Sequence, residues 1–244
     1  MCKLSVNVNK IATLRNSRGG DVPNLLKTSK DIEGFGAQGI TIHPRPDERH
    51  IRYQDARDLK TSVKTELNIE GNPIEKFTEL VLEVKPEQVT LVPDAITNLT
   101  SDAGWDTVKN QTYLRDVIQT FKDAGIRTSI FVDPVIEMIE GAALTGTDRI
   151  ELYTEQFAHL YAQGDKTGIE PYVAAAAKAR ELGMEINAGH DLSLDNIEFF
   201  VSQIPQLAEV SIGHALISES LYLGLENVVN MYLSKIKRGM SQWN

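Results

Sequence analysis

The stretches ITIHPRPDERH (40–50), LNIEGNP (67–73), EINAGHDL (185–192) and VSIGHAL (210–216) decide how this chain folds. Each is a short apolar, β-branched run that stops in histidine, glutamate, arginine or a Gly-His pair. Strands that end this way describe a parallel barrel, because the loops after parallel strands converge on one mouth and carry the chemistry there. Reading outward, further runs of the same type fall at Leu4–Val8, Gln88–Val92, Arg127–Val132 and Arg149–Leu152. Together with Gly39–Ile42, Glu66–Ile69, Glu185–Asn187 and Glu209–Ile212 they make eight expected strands.

Amphipathic patterns alternate with them, at 23–35, 53–63, 74–84, 107–124, 134–144, 168–182, 193–202 and 215–236, several entered through Asp, Ser or Pro and left through Gly. Strand-helix alternation implies right-handed crossovers and a parallel sheet. GAQGITIH (36–43), AGIRTSIFVD (124–133) and LGMEINAGH (182–190) each set a helix-ending glycine before a strand. An open doubly wound sheet would carry a GxGxxG after its first strand, and none is present. The expectation is a single α/β domain over 1–244, an eight-stranded parallel (β/α)8 TIM barrel.

Composition narrows the function. A formal net charge of −9 argues against a broad nucleic-acid surface. The one cysteine, Cys2, excludes an intrachain disulfide and fits a reducing cytoplasm. The polar opening MCKLSVNVNK does not read as a secretory signal, and no apolar run reaches membrane-spanning length. No HxH, CxxC or DxD cluster supports a metal site.

The candidate chemistry sits at the strand ends. His43 opens the loop HPRPDERH, whose two histidines and two arginines supply acid-base groups and donors for phosphate or carboxylate. In the third strand alternation sends inward either Asn68 and Glu70 or Leu67 and Ile69; the polar pair suits the mouth better, with Glu70 as a base. Glu151 ends the sixth strand, where its ionised form would stabilise a cationic imine or hold a histidine. His190, after Asn187-Ala-Gly, is a proton donor. Gly213-His214 ends the eighth strand, where barrels hold phosphate on backbone N–H groups and a helix N-terminus. Asn7 and Asn9 share one side of the first strand and reach the mouth. Lys10 or Arg18 would hold a second phosphate, and Thr100 adds a hydroxyl to the same rim. His159 reads as a surface or packing residue. Thr97–Asp106 reads as a lid.

With these residues in view, the chain resembles the pyridoxine 5'-phosphate synthase family along nearly its whole length. The segments that carry the resemblance are VNVNKIATLRNSRG, GITIHPRPDERHI, LNIEGNP, LVPD, RIELYTE, INAGHDL and SIGHALI. The resemblance implies a TIM barrel that condenses 3-amino-2-oxopropyl phosphate with 1-deoxy-D-xylulose 5-phosphate, without a cofactor. It implies His43 and Glu70 as general bases, His190 as general acid, and Glu151 as stabiliser of charged intermediates. It also implies that Asn7, Arg18, Gly213 and His214 contact the aminoketone phosphate, and that Arg45, His50 and Thr100 contact the sugar phosphate. This chain departs from the family pattern at Asn9-Lys10, which replace Asp-His, and at Asp191, which replaces glycine and leaves a backbone N–H as donor. The family association implies a homo-octamer. Two other readings compete: a phosphosugar aldolase with an imine on Lys10, and a catalytically silent barrel that binds phosphorylated metabolites.

Overall fold

The computed structural model describes residues 2–94 and 103–243. Eight strands close into one parallel barrel in sequence order: β1 (Lys3–Asn7), β2 (Gly39–Ile42), β3 (Glu66–Gly71), β4 (Gln88–Leu91), β5 (Arg127–Val132), β6 (Arg149–Tyr153), β7 (Glu185–Gly189) and β8 (Leu207–Ile212). Closure comes from β1 pairing with β8, Val6 opposite Ile212. All eight expected strands are present; β2 and β5 have the expected bounds, and the other six differ at one or both ends by one or two residues. β3, β6 and β7 run further than expected because their terminal residues, though polar or glycine, keep the ladder going toward the mouth.

The strands' alternation separates two different cores. Leu4, Val6, Ile40, Ile42, Leu67, Ile69, Ile130, Ile150, Leu152, Ile186, Val210 and Ile212 are buried in one hydrophobic cluster with the surrounding helices. The opposite faces fill the barrel with polar groups. Ser5 Oγ lies 2.7 Å from Thr41 Oγ1, and Thr90 donates to Asn68 Oδ1 at 3.0 Å. Lower down, Lys3 and Arg127 both pair with Glu66, and Arg149 reaches Gln88 (3.1 Å) and Glu209 (3.9 Å). These contacts join strands that are not neighbours, so they cross the interior. Barrel interiors are more often packed with branched aliphatic residues; here the apolar stabilisation lies outside the sheet.

The helices are α1 (Asn9–Asn16), α2 (Leu25–Gly34), α3 (Tyr53–Ser62), α4 (Glu75–Val84), α5 (Gln111–Asp123), α6 (Ile136–Leu144), α7 (Glu155–Ala162), α8 (Glu170–Glu181), α9 (Ile197–Gln203), α10 (His214–Leu223) and α11 (Leu225–Met240). Gly36, Gly125 and Gly183 turn the chain back toward the barrel at positive φ, as their position between helix and strand implies. Three corrections concern helices. α1 and α7 are not anticipated by the sequence reading, and the expected single helix 215–236 is broken into α10 and α11 at Gly224. Asn9, expected at the end of a strand, is the first residue of α1 instead. Among the described residues no helix is long and apolar enough to cross a membrane.

Candidate active site

At the C-terminal rim of the barrel lies a cavity of about 640 Å³. His43, Glu70, Glu151 and His190 all line it, from four different strand ends. Asn7, Asn9, Lys10, Arg45, His50, Asp191, Gly213 and His214 line it as well. The residues singled out along some two hundred positions of sequence thus face one space, with two exceptions. Arg18 is exposed beyond α1 and is not part of the lining. Thr100 lies outside the described residues, as does most of the Thr97–Asp106 segment.

A short hydrogen-bond series ties the first three strands together at the mouth. Asn7 Nδ2 donates to Glu70 Oε2 (3.3 Å), the Asn9 N–H donates to Asn7 Oδ1 (3.0 Å), and the His43 N–H donates to Asn9 Oδ1 (2.9 Å). Asn9 therefore works from the start of a helix to fix the backbone of one candidate base, while Asn7 fixes the side chain of the other. Gly213 sits against Asn7: a Cβ there would come within 3.1 Å of the Asn7 Cβ. Gly189 is more confined, since a Cβ would stand 2.3 Å from the Ser211 carbonyl oxygen and 3.1 Å from Glu151 Oε1.

The HPRPDERH loop is anchored from below. Arg15 is buried and forms a two-pronged pair with Asp55 (2.7 and 2.8 Å), while its Nη2 donates to the His50 carbonyl (3.1 Å). Arg45 is paired with Asp94, both buried. The Ile51 N–H donates to His50 Nδ1 at 2.9 Å, which leaves the His50 proton on Nε2. Lys10, Arg45 and Arg49 give this side of the cavity a cationic arc despite the overall negative charge, with the His50 and His214 imidazoles beside them.

Burial sets the protonation of the site. His43 is held well below the usual histidine range, first by loss of water and then by Arg45, His50, His190 and Arg49. His50 is pushed down to about 4 by burial, Arg45, Lys10 and Arg49. Both are neutral imidazoles near pH 7. Glu70 is raised well above the carboxylate range by burial and by Glu151, Asp94 and Glu209, against the pull of the Asn7 hydrogen bond. Glu151 is raised to about 8 by burial and Glu209. Glu209 itself stands at about 7, chiefly through burial. Strand register explains the coupling: Glu151 lies beside Asn187 on β7, which lies beside Glu209 on β8.

His190 has a left-handed backbone, φ 79°. Its ring meets Tyr153 edge-on at 5.3 Å and Phe131 at 6.4 Å, and its Nδ1 lies 2.7 Å from Asp191 Oδ2. The backbone N–H of Asp191, expected as a ligand donor, is engaged within the protein, at 3.2 Å from both the Gly189 carbonyl and Thr154 Oγ1.

Thr13, Arg49, Val92, Phe131 and Ser211 also line the cavity and are not singled out from sequence. Phe131, Val92 and Ser211 follow the same strand alternation as the polar residues below them, which was the available signal. A smaller cavity of about 200 Å³ adjoins Pro44, Asn72, Ile74, Phe77 and Asp94 and shares His43 and Arg45 with the larger one. Among the described residues no group of three or more His, Cys, Asp or Glu is placed to hold a metal ion. His159 is exposed on α7 and lies 2.8 Å from the Gln163 side chain.

The family model described as "Pyridoxal phosphate biosynthesis protein PdxJ" matches residues 4–238. A pyridoxine 5'-phosphate synthase of Flavobacterium johnsoniae is 75% identical over 97% of this chain and 100% of its own length. The enzyme of the same name from Christiangramia forsetii is 66% identical over the same shares. Among solved structures, phosphoribosylanthranilate isomerase of Thermotoga maritima superposes with a TM-score of 0.62 over 97% of this chain and 99% of that one, at 15% identity. The 3-keto-L-gulonate-6-phosphate decarboxylase of Vibrio cholerae gives 0.65 over 97% and 98%, at 9% identity. These two structural likenesses concern the fold alone.

Proposed function

The chain belongs to the family of the pyridoxal phosphate biosynthesis protein PdxJ and is a biosynthetic enzyme of the pyridoxine 5'-phosphate synthase type, and on that premise we propose how its cavity works. It condenses the amine of 3-amino-2-oxopropyl phosphate with the ketone of 1-deoxy-D-xylulose 5-phosphate, and ring closure releases phosphate and water. The bonds balance without an oxidant or reductant, so the reading calls for no redox cofactor. The observation that carries it is the convergence of His43, Glu70, Glu151 and His190 on one cavity with a cationic arc at its edge.

The chemistry requires two phosphate sites, bases that take protons from carbon beside an imine, and an acid for departing hydroxyls. His43 is a neutral imidazole and can accept a proton. Glu70, withdrawn from water, is a stronger base when ionised than an exposed carboxylate. His190 delivers protons from the opposite side, and Glu151 balances positive charge on the imine. Gly213 and His214, at the start of α10, suit the phosphate of the aminoketone, with Asn7 beside them. Arg45 and His50 suit the sugar phosphate. Asn9, Lys10 and Asp191 complete the rim, and the family resemblance assigns Arg18 and Thr100 to the same two phosphates. We assign the work to the cytoplasm and the assembled form to a homo-octamer, as the family resemblance implies. Val22, Leu221 and Tyr222 are 83, 76 and 89% exposed and offer apolar surface for such contacts; light scattering reads the assembly directly.

The deciding experiment is to incubate purified protein with the two substrates and follow pyridoxine 5'-phosphate and released phosphate. His190→Asn is expected to consume substrate while product formation stalls. Wild-type protein that leaves both substrates intact would refute the reading.

A further inference from the structure

We propose that Asp191 is a positioning residue for His190, its carboxylate accepting a hydrogen bond from Nδ1–H and so fixing the tautomer that presents Nε2 for proton transfer. The geometry begins with the 2.7 Å approach of Asp191 Oδ2 to His190 Nδ1. A carboxylate oxygen only accepts, so the shared proton belongs to Nδ1, and the proton that His190 would deliver is the one carried on Nε2 of the imidazolium form. This is the arrangement that makes an acid-base histidine effective: a neighbouring carboxylate holds the ring, selects its tautomer and steadies the imidazolium form.

The second observation is that the backbone of Asp191 is locked. Its N–H bonds to the Gly189 carbonyl and to Thr154 Oγ1, Thr154 Oγ1 donates to the same Gly189 carbonyl, and Asn196 Nδ2 donates to the Asp191 carbonyl at 3.4 Å. What Asp191 contributes at the cavity is thus its side chain. The third is the backbone of His190, whose φ of 79° is uncommon for a non-glycine residue and sets where its ring projects. Phe131 and Tyr153 flank the imidazole, so ring rotation is restricted on the faces that Asp191 does not hold.

The inference rests on the reading of His190 as the proton donor, and the test separates the two. Histidine is labelled with ¹⁵N, and the His190 ring signals are assigned by their loss in His190→Asn. In the wild type the neutral ring is expected to carry its proton on Nδ1. In Asp191→Asn and Asp191→Ala the ring signals are expected to move toward the Nε2-protonated tautomer, and kcat to fall on the order of 10²-fold while KM changes little. Asp191→Asn keeps the shape of the side chain, so it decides the matter if the alanine variant fails to fold. Ring signals that do not move in the variants would overturn the proposal, as would a rise in KM with kcat preserved, which would make Asp191 a substrate contact. His190→Asn turning over at the wild-type rate would instead remove the acid reading itself.

Discussion

Glu70 shows how much one position can do by being placed rather than by being unusual. As the outermost inward residue of β3 it is withdrawn from water, faces Glu151 and is braced by Asn7. Glu70→Gln keeps the shape and the Asn7 contact but removes the base; turnover is expected to fall about 10²- to 10⁴-fold with phosphate binding nearly unchanged, measured by product formation beside inorganic phosphate titration. Glu151 carries the pH dependence. Because its pKa stands at about 8, its carboxylate forms only as the pH rises, so kcat/KM should climb between roughly pH 6 and 9. Glu209→Gln takes away the neighbouring charge that raises it, and the climb should move to lower pH; a profile that stays in place would show that Glu151 is not the titrating group. At this scale the sequence was eloquent where chemistry and alternation coincide, as at His43, Glu70, Glu151 and His190. At Phe131, Val92 and Ser211 it offered only the alternation, since an apolar or small residue at a strand end announces no chemistry. It also offered Arg15 and Arg18 with equal charge, and only folding shows that Arg15 holds the His50 loop while Arg18 stands outside the cavity.

Elements are defined by what their ends permit. Strands were legible because eight β-branched runs recur between amphipathic stretches, and glycine marked the turn before β2, β5 and β7. α1 and α7 were not, for a physical reason: each has eight residues, and α7 buries only Phe157 among its helix positions, so no apolar stripe of useful length forms. The break between α10 and α11 has a different origin. Both halves continue an apolar pattern, but Gly224 adopts φ 83°, ψ 141°, a conformation suited to glycine. Gly224→Ala meets no close obstacle, the nearest atom being Asn227 Nδ2 at 3.7 Å. Its cost is expected to be backbone strain of about 1–3 kcal/mol, visible as a lowered urea midpoint with an unchanged slope.

For the whole molecule the polar interior has a thermodynamic consequence. Folding raises Glu151 to about 8 and Glu209 to about 7 from ordinary carboxylate values. The folded chain therefore keeps protons that the unfolded chain releases, and this contribution is complete below the unfolded values near 4.5 and is lost as the pH rises through 7 and 8. Carboxylates shifted the other way, such as Glu66, Glu87 and Asp148, have already ionised in both states above about pH 5 and do not offset it. The melting temperature should decline between pH 5.5 and 8.5, and Glu209→Gln should flatten the decline; calorimetry at the two pH values checks it. The barrel itself could be read from sequence because its strand and helix periods differ so plainly. Its ionic lower layer could not, since Glu66 meets Arg127, and Arg149 meets Gln88 and Glu209, across strands that are not sequence neighbours.

The pairing of Val6 with Ile212 also imposes a schedule on biosynthesis. While the ribosome is still making the middle of the protein, β1 has only β2 to bind, and its other edge waits for the last strand to emerge. Until then the turn at Gly213, where we place a substrate phosphate, does not exist, and a nascent chain already bearing His43, Glu70, Glu151 and His190 is expected to be inert. The delay also leaves two unsatisfied sheet edges open to improper partners, so the final stretch of translation is when this molecule most needs protection from its neighbours.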